Sequence, residues 1–338
     1  MVIQGDTTDS ITTYVLGAGA SHHAGYPLCP ELWPKMAAWV IEQPEPADPE
    51  LRKAIDEVTA LNGPVTDIEA VLTDLDLGQG IFHALEEDNR RKITGTIRRC
   101  IRAYFKNIHD RRHEAALYAA FAKVVAKNDA IITLNYDTAL ENELIREGKF
   151  RVRDGYAFKA EWDEPESDVT VIKPHGSINW IGLLFAGRRE TFGASNPLGA
   201  QPFIDNRDSA LTAYPNQVLD SSSQDGGLTD PHITMILPTY EKRLSLNTSS
   251  GDEWRPFYQS LWSQAAESLE RSHRIVIIGY SLPKSDRMAR AVLLWSANHR
   301  AEVRVYSGSS SASIRAEFEN HGFWRVLEMG RFEQFLAN

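Results

Sequence analysis

Cysteine is almost missing from this chain: its 338 residues include two, Cys29 and Cys100. Two thiols exclude a disulfide framework and a four-thiolate zinc site, suit a reducing compartment, and are read as packing residues. Long apolar runs are missing too. No stretch of about 18 apolar residues offers a membrane span, and the N-terminus lacks the basic, apolar and small-residue succession of a secretory leader, so a cytoplasmic location is expected. Positive charge is also short, with 36 Lys and Arg against 46 Asp and Glu for a net charge of −10. That balance argues against a nucleic-acid footprint over the whole surface.

What is present is a chain able to fold around a large core, since 42% of it is hydrophobic. Runs rich in Val, Ile and Thr recur at Thr12–Leu16, Ala130–Leu134, Val169–Lys173, Ile233–Leu237, Arg274–Ile278 and Val303–Tyr306, with a short seventh at Trp324–Leu327. Helical stretches separate them. The alternation predicts a single α/β domain over residues 1–338, Rossmann-like, with a mostly parallel sheet of about six strands and helices on both faces.

Two long interruptions are expected. Residues 26–127 read as a helical insertion, with apolar periodicity in Leu32–Ile41, Leu51–Leu61, Ile68–Leu75 and Ala115–Val125, and with Asp67 as a cap. Residues 181–231 are rich in Gly, Ser, Asn, Asp and Pro and read as an insertion loop. From Arg90 to Arg112 basic residues alternate with Ile93, Ile97, Ile101, Phe105 and Ile108 at helical spacing. The basic side of that amphipathic helix is either a solvated face or a contact for DNA or a partner.

The chemistry gathers where strands end. Gly17, Ala18, Gly19, Ala20 and Ser21 follow the first strand directly, where glycine permits a tight turn and close approach of a pyrophosphate. The third glycine of the dinucleotide fingerprint is missing, since His22 occupies its place, so a plain strand-to-helix turn is an equal reading. The second strand ends in Asn135-Tyr136-Asp137, which either projects polar groups into a ligand crevice or simply turns the chain and caps a helix. The third stops at His175-Gly176-Ser177, and an imidazole at a crevice can serve as a base near neutral pH. The remaining histidines are read as packing or surface groups. Later strands open into Gly279-Tyr280-Ser281-Leu282-Pro283 and into Ser307-Gly308.

In this order, Gly-Ala-Gly-Ala-Ser, Thr-x-Asn-Tyr-Asp, Lys-Pro-His-Gly-Ser and Gly-Tyr-Ser-Leu-Pro resemble the sirtuin superfamily, and most nearly the sirtuin-like domains of bacterial anti-phage defence. The resemblance spans about Thr12 to Ser307 and implies that NAD is bound and cleaved between nicotinamide and ribose. It implies that Gly17, Ala18, Gly19 and Ser21 line the NAD phosphates and nicotinamide side, that Asn135 holds the ribose or the attacking water, and that Asp137 meets the carboxamide. His175 would be the general base. Gly279, Tyr280 and Ser281 would lie near the nicotinamide-side ribose and phosphate, and Ser307 toward the adenosine.

Deacylating sirtuins carry a four-cysteine zinc module, whereas no cysteine lies between His175 and Gly279, so no zinc is expected. The leading expectation is an NAD glycohydrolase that depletes NAD on infection. It would be restrained in a homo-oligomer or by a partner such as a ring-forming DNA-translocase-like ATPase or a nucleic-acid sensor. An ADP-ribosyltransferase or deacylase, a non-catalytic NAD or ADP-ribose sensor and a nucleic-acid-acting subunit are the alternatives.

Overall fold

The structure is a computed structural model, and it describes residues 11–42, 49–62, 67–111, 115–156, 167–183, 191–194, 210–213, 217–219, 232–235 and 255–337. Eleven strands are found among them, β1 (Thr12–Leu16), β2 (Ala130–Thr133), β3 (Thr170–Ile172), β4 (Gly176–Leu183), β5 (Thr191–Ala194), β6 (Ala210–Ala213), β7 (Gln217–Leu219), β8 (His232–Met235), β9 (Arg274–Ile278), β10 (Glu302–Tyr306) and β11 (Val326–Glu328). Six of them make one parallel sheet in the order β11-β10-β9-β1-β2-β3. The chain runs outward from β1 to β2 and β3, then returns to β9 on the other side of β1, so the strand order reverses at the β1/β9 junction. In sheets of this kind ligands bind at that reversal, beyond the carboxyl ends of the strands.

Two neighbouring residues show that both faces are covered. Along a strand successive side chains point to opposite faces. Tyr14 packs edge-on against Phe121 and Phe335, from helices Ala116–Val124 and Phe332–Ala337. Thr13, pointing the other way, bonds through Oγ1 to the Ser268 carbonyl and the Ser272 hydroxyl at the end of helix Arg255–Arg271. Val15, Leu16, Ile131, Ile132, Val171 and Ile275–Ile278 are all buried. Burying each such side chain contributes about 1.5–3 kcal/mol.

Between β1 and β2 the chain is helical for most of its described length. The apolar spacing read from the sequence falls within helices Cys29–Glu42, Pro49–Asn62, Ile68–Leu77 and Glu87–Arg111. Asp67 caps the third, its Oδ1 accepting from the Glu69 and Ala70 amides. The helix Glu87–Arg111 buries Ile93, Ile97, Cys100, Ile101, Tyr104 and Phe105 in successive turns. Its cations are largely used within the chain: Arg90 donates to the Leu75 and Asp76 carbonyls, Arg102 to the Ile178 carbonyl, and Arg91, Lys92 and Lys106 pair with Glu87, Glu50 and Asp110.

Two strand expectations need correction. The run Ile233–Leu237 does not join the parallel sheet; its described part lies in β8, which pairs antiparallel with β4 in a second sheet of order β7-β6-β5-β4-β8. The place in the main sheet falls to the short seventh candidate as edge strand β11. A continuous apolar run gives strand character but not partner choice, and the antiparallel partner β4 begins immediately after His175. The segment 181–231 is likewise not only a loop, because it carries the end of β4 with β5, β6 and β7. Strands of three or four residues are too short for alternation to register, and pairing with neighbours defines them. The rest of that segment lies outside the described residues.

Candidate functional site

A cleft of about 400 Å³ opens over the carboxyl ends of the parallel strands. The strand-end residues read from the sequence all line it: Gly17, Ala18, Gly19 and Ser21 after β1, Asn135 and Asp137 after β2, His175 after β3, Gly279, Tyr280 and Ser281 after β9, and Ser307 after β10. Five strand ends thus converge on one space. The segment between β1 and β2 adds Tyr26, Leu28, Cys29, Leu32, Glu69 and Phe105 to its lining.

Gly17 and Gly19 owe their identity to the neighbouring strand end. Their amides donate to the Ile278 and Gly279 carbonyls at 3.0 and 2.9 Å, carrying the β1–β9 contact past the end of the strands. A Cβ on Gly17 would lie 2.6 Å from the Tyr280 Cα, and one on Gly279, at φ +61°, only 2.1 Å from the Ala20 amide nitrogen. The Ala20 amide is taken by the Gly17 carbonyl. Close approach of the two loops is therefore what demands glycine here, a requirement independent of any phosphate.

Asn135 is buried and holds the first loop in place. Its Nδ2 donates to the Gly17 carbonyl and to the Ser21 hydroxyl, both at 2.9 Å, and the Ser21 oxygen also meets the Tyr118 hydroxyl at 2.8 Å. Both amide protons are thereby used, which leaves Oδ1, an acceptor, for a ligand. Burial, and after it the Asp137 charge, pushes the Tyr118 hydroxyl well above its ordinary range, so it stays neutral.

Asp137 accepts the Ala139 amide on Oδ1 at 2.9 Å and so turns the chain into helix Ala139–Arg146, whose first residue it precedes by two, while also lining the cleft. The loop is braced from β3 by a residue the sequence reading passed over. Lys173, fully buried, donates to the Asp137 carbonyl and at 2.7 Å to Glu141 Oε1, itself fully buried. Tyr156 donates to the same Glu141 oxygen at 3.1 Å.

His175 follows this lysine by two residues and is 4% exposed. Its ring packs edge-on against Trp262 at 5.8 Å, and its Nε2 lies 3.5 Å from Asp286 Oδ2. Asp286, 1% exposed, caps helix Arg287–Ala291 through the Ala289 amide and receives the Tyr280 hydroxyl on Oδ2 at 3.1 Å. Burial, followed by the Asp286 charge, pushes the Tyr280 hydroxyl well up. Asp286, Tyr118, Trp262 and the Lys173–Glu141 pair are the site elements that strand-end motifs alone did not reveal; an aspartate after Pro283 looks in sequence like any helix cap.

The charge of the cleft is lopsided. Its described lining holds three carboxylates, Glu69, Asp137 and Asp286, with one histidine and neither lysine nor arginine. Hydroxyls are plentiful: Ser21, Ser281, Ser307, Ser309 and Ser310 line it. Ser307 Oγ is buried without a hydrogen-bond partner, a donor left open for a ligand. Among the described residues no group of three or more His, Cys, Asp or Glu is placed to hold a metal ion, and no helix is long and apolar enough to cross a membrane.

No protein-family profile matches this chain, and no curated protein matches it in sequence. Among solved structures the chain is similar to a Sir2 homologue in complex with NAD, at 12% identity over 93% of this chain and 90% of that one, with a TM-score of 0.37. It is also similar to a Sir2–p53 peptide–NAD+ complex, at 12% identity over 88% and 82% with a TM-score of 0.34. A third is a Sir2 homologue point mutant with ADP-ribose, at 12% identity over 93% and 92% with a TM-score of 0.37. At these scores the likeness assigns no role to any residue of this chain.

Proposed function

We propose that the protein is a sirtuin-like NAD glycohydrolase, yielding nicotinamide and ADP-ribose. The observation that carries this reading is the convergence of Asn135, His175 and the Gly17–Ser21 loop on one cleft at the reversal of the parallel sheet. The carboxylate-rich lining supports it, because oxidised nicotinamide is a cation and the breaking glycosidic bond gives the ribose oxocarbenium character. The serine hydroxyls, with the open donor of Ser307, suit ribose and phosphate oxygens.

Cleavage needs little from the protein. The C1′–N bond breaks with its electron pair passing to the pyridinium nitrogen, so nicotinamide leaves neutral and needs no acid; water adds to C1′ and gives up a proton. In this reading Asn135 Oδ1 accepts a hydrogen bond from that water or from a ribose hydroxyl, and His175 takes the proton. Each such contribution is worth about 10²- to 10⁴-fold. In this reading the Asp137 and Glu69 carboxylates of the lining would favour the cationic ring.

Whether water or another acceptor receives the ADP-ribosyl group separates this reading from an ADP-ribosyltransferase or deacylase. Purified protein incubated with NAD+, with and without an acylated peptide, should give nicotinamide and free ADP-ribose in equal amounts whichever way the peptide is supplied. Product forming only with peptide would replace hydrolysis by transfer. In the cell, the enzyme would serve as an anti-phage effector that depletes NAD, held in check in a homo-oligomer or by a partner such as a ring-forming ATPase.

A further inference from the structure

His175 has two ring nitrogens in different surroundings. Nε2 is buried, makes no hydrogen bond of ordinary length, and has the Asp286 carboxylate 3.5 Å away. Nδ1 makes no hydrogen bond either, yet it is not among the buried unpartnered atoms, so it is the nitrogen with access to the cleft that His175 lines. Asp286 is fixed from two sides, by the Tyr280 hydroxyl on Oδ2 and by the Ala289 amide on Oδ1. An ionised carboxylate only accepts hydrogen bonds, so the imidazole nitrogen facing it is favoured when it carries a proton. In a neutral ring the other nitrogen then holds the lone pair.

We infer that Asp286 is the positioning residue of this site: it holds neutral His175 as the Nε2–H tautomer and leaves Nδ1 as the atom that accepts the proton, with Tyr280 holding Asp286 in turn. The 3.5 Å separation closes to a hydrogen bond when the ring gains its proton, since catalytic contacts that are long in the free protein tighten as charge develops. Trp262 packs against the imidazole in a T-shaped contact at 5.8 Å. The role of Asp286 in turnover rests on the proposed hydrolysis; its hold on the tautomer does not.

The test is made on the full chain labelled with ¹⁵N, using long-range proton–nitrogen correlation of the His175 ring in samples where the ring is neutral. The parent protein should show the Nε2–H form. Asp286→Asn keeps the size and an oxygen for the Ala289 cap, and should convert His175 to a mixture or to the Nδ1–H form; Tyr280→Phe should do so in part. In parallel, Asp286→Asn should lower kcat about 10²-fold with KM little changed, while Asp286→Glu should recover part of that loss. An Nδ1–H ring in the parent, or an unchanged tautomer in Asp286→Asn, overturns the inference. A parent protein that shows the tautomer shift but never consumes NAD+ leaves the positioning intact and removes the hydrolase reading instead.

Discussion

Asn135 donates from one side-chain nitrogen to the Gly17 carbonyl and to the Ser21 hydroxyl, both at 2.9 Å, tying the end of β2 to the loop that follows β1. A residue chosen as a ligand contact is thus also a structural one. Asn135→Ala removes two buried hydrogen bonds, one to the Gly17 carbonyl, which keeps the Ala20 amide, and one to the Ser21 hydroxyl, and should cost about 1–3 kcal/mol of stability, seen as a lower urea midpoint. Turnover should fall further than the loss of folded protein accounts for. A midpoint equal to the parent's would show that the tie carries no weight.

The glycines give a paired prediction of opposite sign. Gly17→Ala puts a methyl 2.6 Å from the Tyr280 Cα and should destabilise by about 1–3 kcal/mol. Gly95 lies inside helix Glu87–Arg111, where a Cβ would meet nothing within 4 Å, so Gly95→Ala should stabilise by roughly 0.5–1 kcal/mol. Thermal unfolding of the two variants reads both signs, and a neutral Gly17→Ala would contradict the close approach of the loops.

Lys173 and Glu141 form a fully buried pair behind the Asp137 loop. Lys173→Met strands the Glu141 carboxylate, one of whose oxygens already lacks a partner, and should cost about 3–5 kcal/mol. Adding Glu141→Gln to that variant should restore part of the loss, which a double-mutant cycle in urea measures. Additive losses would mean that the two groups are not coupled.

Tyr118 and Tyr280 are buried and Tyr136 is partly buried, and desolvation raises all three hydroxyls well above the ordinary value of 10.0. Below that value they are protonated in the folded and unfolded chain alike, so they add no pH dependence. Above it the unfolded chain ionises first, and stability should decline as pH climbs from about 9 to 11. Tyr118→Phe should make the decline shallower. Tyrosinate absorbance from these rings that rises before unfolding would show them open to solvent.

Much of this was legible in the sequence because a parallel sheet buries its strands and exposes their ends. Five strands of the main sheet announced themselves as continuous apolar runs, and polar residues at their ends, poor in strand interiors, marked the cleft. What was not legible depends on partners far apart in the chain. Nothing in the sequence couples Lys173 to Glu141 or His175 to Asp286, since charge pairs across 32 or more residues leave no periodic trace. β8 was misassigned for the same reason, because its partner β4 is set by where the chain turns at Gly176, at φ +83°.

The central claim concerns what His175 does, and a single variant tests it. With His175→Ala, NAD+ binding is followed by calorimetry and hydrolysis by release of nicotinamide, under the conditions in which the parent is active. Binding and folding should survive while kcat falls by about 10²- to 10⁴-fold. A variant that hydrolyses NAD+ at the parent rate would contradict the account, because the cleft would then be working without its only histidine among the described lining residues.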